Sequence, residues 1–144
     1  QAFPTFLRNS VMIYAMFSVS MLTILVGLIA VKARAASVED GRIVASYFKL
    51  MQGQDIPDIV TKTTRCFNNL FEIPVLFYVV CTLYIAIGVE SFAAVVIAWL
   101  FVILRCAQAC IHITYNHVKH RMLMFGASVL CVFFLWVNLV ALKI

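Results

Sequence analysis

A handful of residues in this mostly apolar chain could do chemistry. Arg65, Asn68, Asn69 and Glu72 stand close together in "RCFNNLFEIP". At about 100° per helical residue they fall on one stripe about 100° wide. Arg105, Gln108, His112, Tyr115 and Asn116 share a second such face, and Arg121 opens a further apolar run. A guanidinium binds carboxylates, phosphates or a thiolate, and a carboxylate binds an ammonium or amide. Amide, imidazole and phenol groups orient what the charges hold. Three arginines against one carboxylate leave positive charge over.

Two readings of this set stand side by side. One is a buried polar network in which Glu72 pairs with Arg105 or Arg65 and fixes helix register. The other is a site completed by an anion. Such an anion needs more than one carboxylate for the arginines, an ammonium or amide for Glu72, and amides for Asn69, Gln108 and His112. A small peptide such as glutathione carries those groups, and a lipid phosphate satisfies the arginines nearly as well.

The elements that must position these residues follow from composition. The chain has 144 residues, 65% of them hydrophobic, where about half is usual for a globular domain. Lipid is therefore the expected solvent. Only 12% of residues are charged, so the net charge of +5 is not a nucleic-acid footprint; basic residues in such a chain first report topology. A membrane span needs roughly 20 apolar residues. Four segments qualify, about Val11 to Val31, Leu70 to Val89, Phe92 to Thr114 and Met122 to Leu142. Continuous apolar runs lack the alternation of barrel strands, so the fold class is all-α, an integral membrane four-helix bundle in a single domain. With their polar extensions the helices are expected at about 8–33, 57–88, 91–117 and 120–143. "GQDIPDIVTK" reads as a helix start, with Pro57 near the first turn and Asp55 or Asp58 as cap. Pro74 should kink the second helix just past Glu72.

Short connections, "GVES" and "NHVKHR", make neighbouring helices antiparallel. Lys32, Arg34, Arg42, Lys49, Lys62, Lys119 and Arg121 gather on one side, against Arg8, Glu90 and Lys143 on the other. The positive-inside rule places that basic side in the cytoplasm and both termini outside. A charge facing lipid at the centre of a span costs about 2.5–3.5 kcal/mol. Arg105 and Glu72 should therefore face each other or a wet cavity. The five cysteines include no C-x-x-C pair and read as small buried hydrophobes rather than a disulfide or zinc framework. His117 and His120 offer no third metal ligand, so no metal is expected.

Taken together, "RCFNNLFEIP", Arg105 and Arg121 resemble the membrane-associated proteins in eicosanoid and glutathione metabolism, and "YFKLMQG" and "HITYNHVKHR" are similar to the bacterial branch of that family. The resemblance implies a four-helix bundle assembling as a homotrimer, with glutathione held between neighbouring subunits near the cytoplasmic face. It implies that Arg65, Asn69, Glu72 and Arg105 bind glutathione and that Arg121 activates its thiol. Lys32 or Arg34 would approach from the adjacent subunit, although as residues both also serve as topology signals. Gln108, His112 and Tyr115 complete the expected binding set; family members often carry tyrosine or histidine where Gln108 and His112 stand. Met122 and Phe125 stand where the prostaglandin synthase of the family has serine and tyrosine, which argues against prostaglandin isomerase chemistry. The resemblance thus implies a glutathione transferase or peroxidase acting on lipophilic electrophiles, in a bacterial inner membrane. A non-enzymatic lipid-binding helper of the same fold is the alternative.

Overall fold

The computed structural model describes residues 5–53 and 55–143. Helix α1 runs Thr5–Glu39. A 3₁₀ turn, Ala45–Lys49, lies in the long connection to α2, Asp58–Asn69. Then come α3, Ile73–Ile87, α4, Phe92–Ile113, and α5, Val118–Lys143. The unit α2–α3 runs on as one traverse, so four helical rods among the described residues are long and apolar enough to cross a membrane.

Helix α1 outlasts the expected 8–33 because "ARAASVE" is built of good helix formers with no breaker. It stops at Gly41, whose φ of 69° is left-handed. Gly41 N–H donates to Val38 C=O at 3.0 Å and Arg42 N–H to Ser37 C=O at 3.0 Å, the paired bonds of a Schellman stop. Gly88 ends α3 the same way, with Val89 N–H reaching Tyr84 C=O at 3.0 Å.

Two expectations in the second rod need correction. Pro57 does stand at the start of α2, but it is itself the cap residue, and neither Asp55 nor Asp58 caps that end with its side chain. The rod is also broken, not merely kinked. Pro74 lacks the N–H that would bond to Leu70 C=O, and its ring clashes with that carbonyl. Residues Leu70–Glu72 accordingly leave the helix as a tightened turn, with Leu70 N–H on Phe67 C=O at 3.1 Å and Phe71 N–H on Asn68 C=O at 2.9 Å.

Packing is inside-out relative to a soluble bundle. Phe17, Leu28, Ile103, Phe133 and other large apolar side chains point outward, as lipid allows. Fully buried positions are often small, among them Ala15, Ala94, Ala98 and Ser128, so backbones approach closely. Gly126 takes no part in that approach, since it faces open space. The largest core lies in the half of the bundle away from the long connection. There Phe77 of α3 stacks on Phe101 of α4, centroids 4.2 Å apart, and the Tyr84 hydroxyl donates to Leu135 C=O at 2.9 Å. The opposite half, where α1 and α4 end and α2 and α5 begin, is the basic end. Smaller clusters hold it: Val26, Cys66, Leu70 and Ala109, and Ile43, Tyr47 and Val60 under the 3₁₀ turn.

Helix α4 has a defined start, since Ser91 Oγ accepts the Ala94 N–H at 3.1 Å. Replacing it, Ser91→Ala, should cost about 1 kcal/mol, and Ser91→Asp should recover most of that. Thermal unfolding in detergent micelles checks both.

Candidate functional site

Helix α4 carries the centre of the site. Arg105, Gln108 and His112 lie on one face and are 1%, 4% and 1% exposed. Arg105 Nη1 donates to Gln108 Oε1 at 2.5 Å. The Arg105 guanidinium sits between two rings, its carbon 5.4 Å from the Phe101 centroid and 5.3 Å from that of Phe125. Its Nε and Nη2 have no hydrogen-bond partner. A desolvated cation–π contact gives about 2 kcal/mol, whereas burying an ion costs several kcal/mol. The rings thus offset only part of the cost, and among the described residues no carboxylate touches this guanidinium.

Helix α5 delivers Arg121 to the edge of the same cluster. Arg121 Nη1 lies 3.0 Å from His112 Nε2 and donates to Asn116 Oδ1 at 2.8 Å. Arginine has no acceptor, so His112 Nε2 must accept. The imidazole is then neutral with its proton on Nδ1, and that Nδ1 is buried without a partner. Arg121 is half-buried, and its Nε and Nη2 make no hydrogen bond within the protomer among the described residues.

Asn116 was grouped with the polar face of α4 but not with the candidate ligands. Its place comes from a different cause. Helix α4 ends at Ile113, short of the expected 117, and Asn116 adopts a left-handed φ of 49° with its N–H on Ile111 C=O at 2.8 Å. Asparagine tolerates that conformation, and the side chain so released reaches Arg121. The same early stop carries Tyr115 away from the face: it is 60% exposed, its hydroxyl 3.1 Å from His120 Nδ1.

A cavity of about 10 Å³ lies between Cys66, Asn69 and Leu70 on one side and Arg105, Gln108 and His112 on the other. It has room for about one water. Arg65 and Glu72 are exposed outside it. Glu72 does not pair with Arg105 or Arg65, contrary to the network expectation, because the break at Leu70–Glu72 removes it from the α2 stripe. Its charge acts on Arg105 only through space, as that of Arg65 acts on His112. Lys32 is exposed. Arg34 lies apart from the cluster, donating from Nη2 to Thr64 Oγ1 at 3.0 Å. The protomer thus assembles Asn69, Arg105, Gln108, His112 and Arg121, leaves Arg65 and Glu72 at the rim, and keeps Lys32, Arg34 and Tyr115 out of the cluster. Of the cysteines, Cys66, Cys81 and Cys131 are buried while Cys110 is exposed.

Four membrane-length helical traverses among the described residues, with most of their charged side chains gathered at one end, define an integral membrane helical bundle. The sequence profile of the MAPEG family matches residues 12–141, and the chain belongs to that family. Comparison with curated proteins gave no match, and comparison with solved structures gave none. The family includes glutathione-dependent transferases and peroxidases as well as non-enzymatic members.

Asn116 offers a test of the α4–α5 corner. Asn116→Gly keeps the backbone conformation and loses only the Arg121 contact. Asn116→Ala also meets the left-handed penalty and should be about 1 kcal/mol less stable than the glycine variant, as read by thermal unfolding.

Proposed function

We propose that this protein is a membrane-embedded glutathione transferase or peroxidase that uses the glutathione thiolate against lipophilic electrophiles. The observation that carries the reading is the state of Arg121. Its Nη1 is fixed by His112 and Asn116, and its other nitrogens remain available at a half-exposed edge. The cavity of about 10 Å³ is far too small for a tripeptide, so glutathione would lie along the rim formed by Arg65, Asn69, Glu72 and Arg121. Arg65 suits a carboxylate and Glu72 the ammonium, with Asn69 orienting the backbone. Arg105, Gln108 and His112 support this rim from behind.

That Arg65 and Glu72 stand exposed on one protomer supports a site closed by a neighbouring copy. The proposal therefore includes the homotrimer, with Lys32 or Arg34 approaching from the adjacent subunit. It also includes the orientation with the basic end in the cytoplasm of a bacterial inner membrane and both termini outside, which rests on the positive-inside rule and on family resemblance.

The chemistry follows from charge. A free thiol has a pKa near 8.5, so only a few per cent is thiolate at neutral pH. A guanidinium donating to sulfur in a partly dry site lowers that value; two units correspond to about 2.7 kcal/mol and make thiolate the majority form. In conjugation the sulfur lone pair forms a C–S bond at the electrophilic carbon, and the leaving group departs with its bonding pair. With a hydroperoxide, sulfur attacks the O–O bond, an alcohol leaves after protonation, and a second glutathione converts the sulfenic acid to the disulfide with loss of water.

A specific observation also favours the second reading, a non-enzymatic lipid-binding helper. Ile24, Gly27 and Leu28 of α1 with Phe67 of α2 and the adjoining Phe71 line an apolar groove of about 360 Å³, bordered by Arg34. This suits an acyl chain as well as a lipophilic acceptor.

Turnover of glutathione with a chlorodinitrobenzene separates the two. Glutathione-dependent thermal stabilisation without turnover would establish the helper. For the enzyme, Arg121→Ala should raise the bound thiol pKa back towards about 8.5, so that thiolate absorbance and conjugation rate require higher pH. An unchanged titration removes Arg121 from the role.

A further inference from the structure

The connection from α1 to α2 holds features that the chemistry at the rim does not use. The first apolar run ends at Val31, and α1 continues to Glu39, about 12 Å further along its axis at 1.5 Å per residue. The chain then turns back. Ile43 and Tyr47, 2% and 8% exposed, pack on Val60 of α2, with Ala33 and Phe48 at the edge of the cluster. The Arg34 guanidinium carbon lies 5.9 Å from the Phe48 ring centroid. These contacts hold the 3₁₀ turn level with Ala33 and Arg34, within about 5 Å of Val31 along the helix. That is the depth at which hydrocarbon gives way to headgroups, where tyrosine concentrates.

At that depth the turn points apolar side chains outward. Leu50 is 79% exposed, Val44 62% and Met51 44%. Met51 has a left-handed φ of 55°, uncommon for a residue other than glycine, asparagine, aspartate or histidine. Its N–H donates to Tyr47 C=O at 2.8 Å, and its C=O accepts from the Tyr47 hydroxyl at 3.2 Å. The buried tyrosine therefore fixes the pose in which Leu50 and Met51 project. Val44, Lys49 and Leu50 border an open concavity of about 550 Å³ with Ser46 and Gln52, and its described lining carries a cation and no carboxylate. In water, apolar side chains fixed outward in this way have nothing to bury against.

We propose that this turn is a second membrane attachment. Leu50 and Met51 enter the acyl boundary of the bilayer that the four helices cross, and Lys49 meets phospholipid phosphate. A lysine can lie along such a boundary by its stem while its ammonium reaches the phosphate, and apolar side chains beside a cation are the makings of an interfacial anchor. The attachment does not depend on glutathione binding or turnover.

The test uses the full chain, carbon-13 labelled at its methionine methyls, in phosphatidylcholine nanodiscs. Met51→Leu assigns the Met51 signal by its loss. A nitroxide on the upper acyl carbons of the lipid and a water-soluble gadolinium chelate then broaden methyls in lipid and in water respectively. Met21, 41% exposed within the α1 span, is the lipid-facing control. The Met51 methyl should be broadened by the lipid nitroxide, spared by gadolinium, and unchanged by saturating glutathione. Leu50→Asp should abolish the nitroxide broadening at Met51 and admit gadolinium, while Met21 stays as it was. Broadening of wild-type Met51 by gadolinium alone would place the turn in water and overturn the proposal. Protection from both probes would mean that protein covers it, a neighbouring copy or the rim, and would equally overturn it. So would a pattern that appears only with glutathione, or a Leu50→Asp variant that keeps the full nitroxide broadening.

Discussion

The organisation of the basic end depends on the cost of holding a guanidinium in a low-dielectric span. Arg105 cannot lose its proton and cannot face hydrocarbon cheaply, so the bundle turns it inward and arranges its neighbours around it. Phe101 and Phe125 cover its flanks, and Gln108 accepts from one nitrogen. His112 sits one turn further along the same face. Once these positions are taken by groups that serve a cation, the cluster is donor-rich, and any species drawn to it is an electron-pair donor.

The rim inherits its geometry from two interruptions. Pro74 removes three residues from the second rod, and that turn releases Glu72 to the surface while Asn69 stays at the cavity wall. The left-handed Asn116 ends α4 early and turns its own oxygen towards Arg121. A continuous helix at either place would leave the carboxylate on the Arg65 stripe and the asparagine on the α4 face, with Arg121 held by His112 alone.

How much of this was legible in the sequence depends on the range of the interaction. The all-helical architecture and the four traverses follow from apolar runs whose lengths match a bilayer, and those the structure reproduces. The burial of Arg105, Gln108 and His112 on one face of α4 also follows from local periodicity. Periodicity failed where the helix itself stopped, which is why Tyr115 left the face and Glu72 left its stripe. Pairings across elements, Arg121 with His112 or Arg34 with Thr64, have no local signal. Nor does the sandwich of Arg105 between Phe101 and Phe125, since Phe125 comes from another helix.

The turn at Leu70–Glu72 also divides the molecule thermodynamically. Residues of α3 belong to the large core with Phe101 and Leu135, whereas Cys66 at the end of α2 and Leu70 belong to the small cluster with Val26 and Ala109. Changes made in one cluster share few partners with the other, so their free energies should sum nearly independently. The far half can then accumulate substitutions that alter anchoring in the bilayer while the chemistry at the opposite end drifts on its own account, which lets one scaffold be retuned for membranes and for reactants separately.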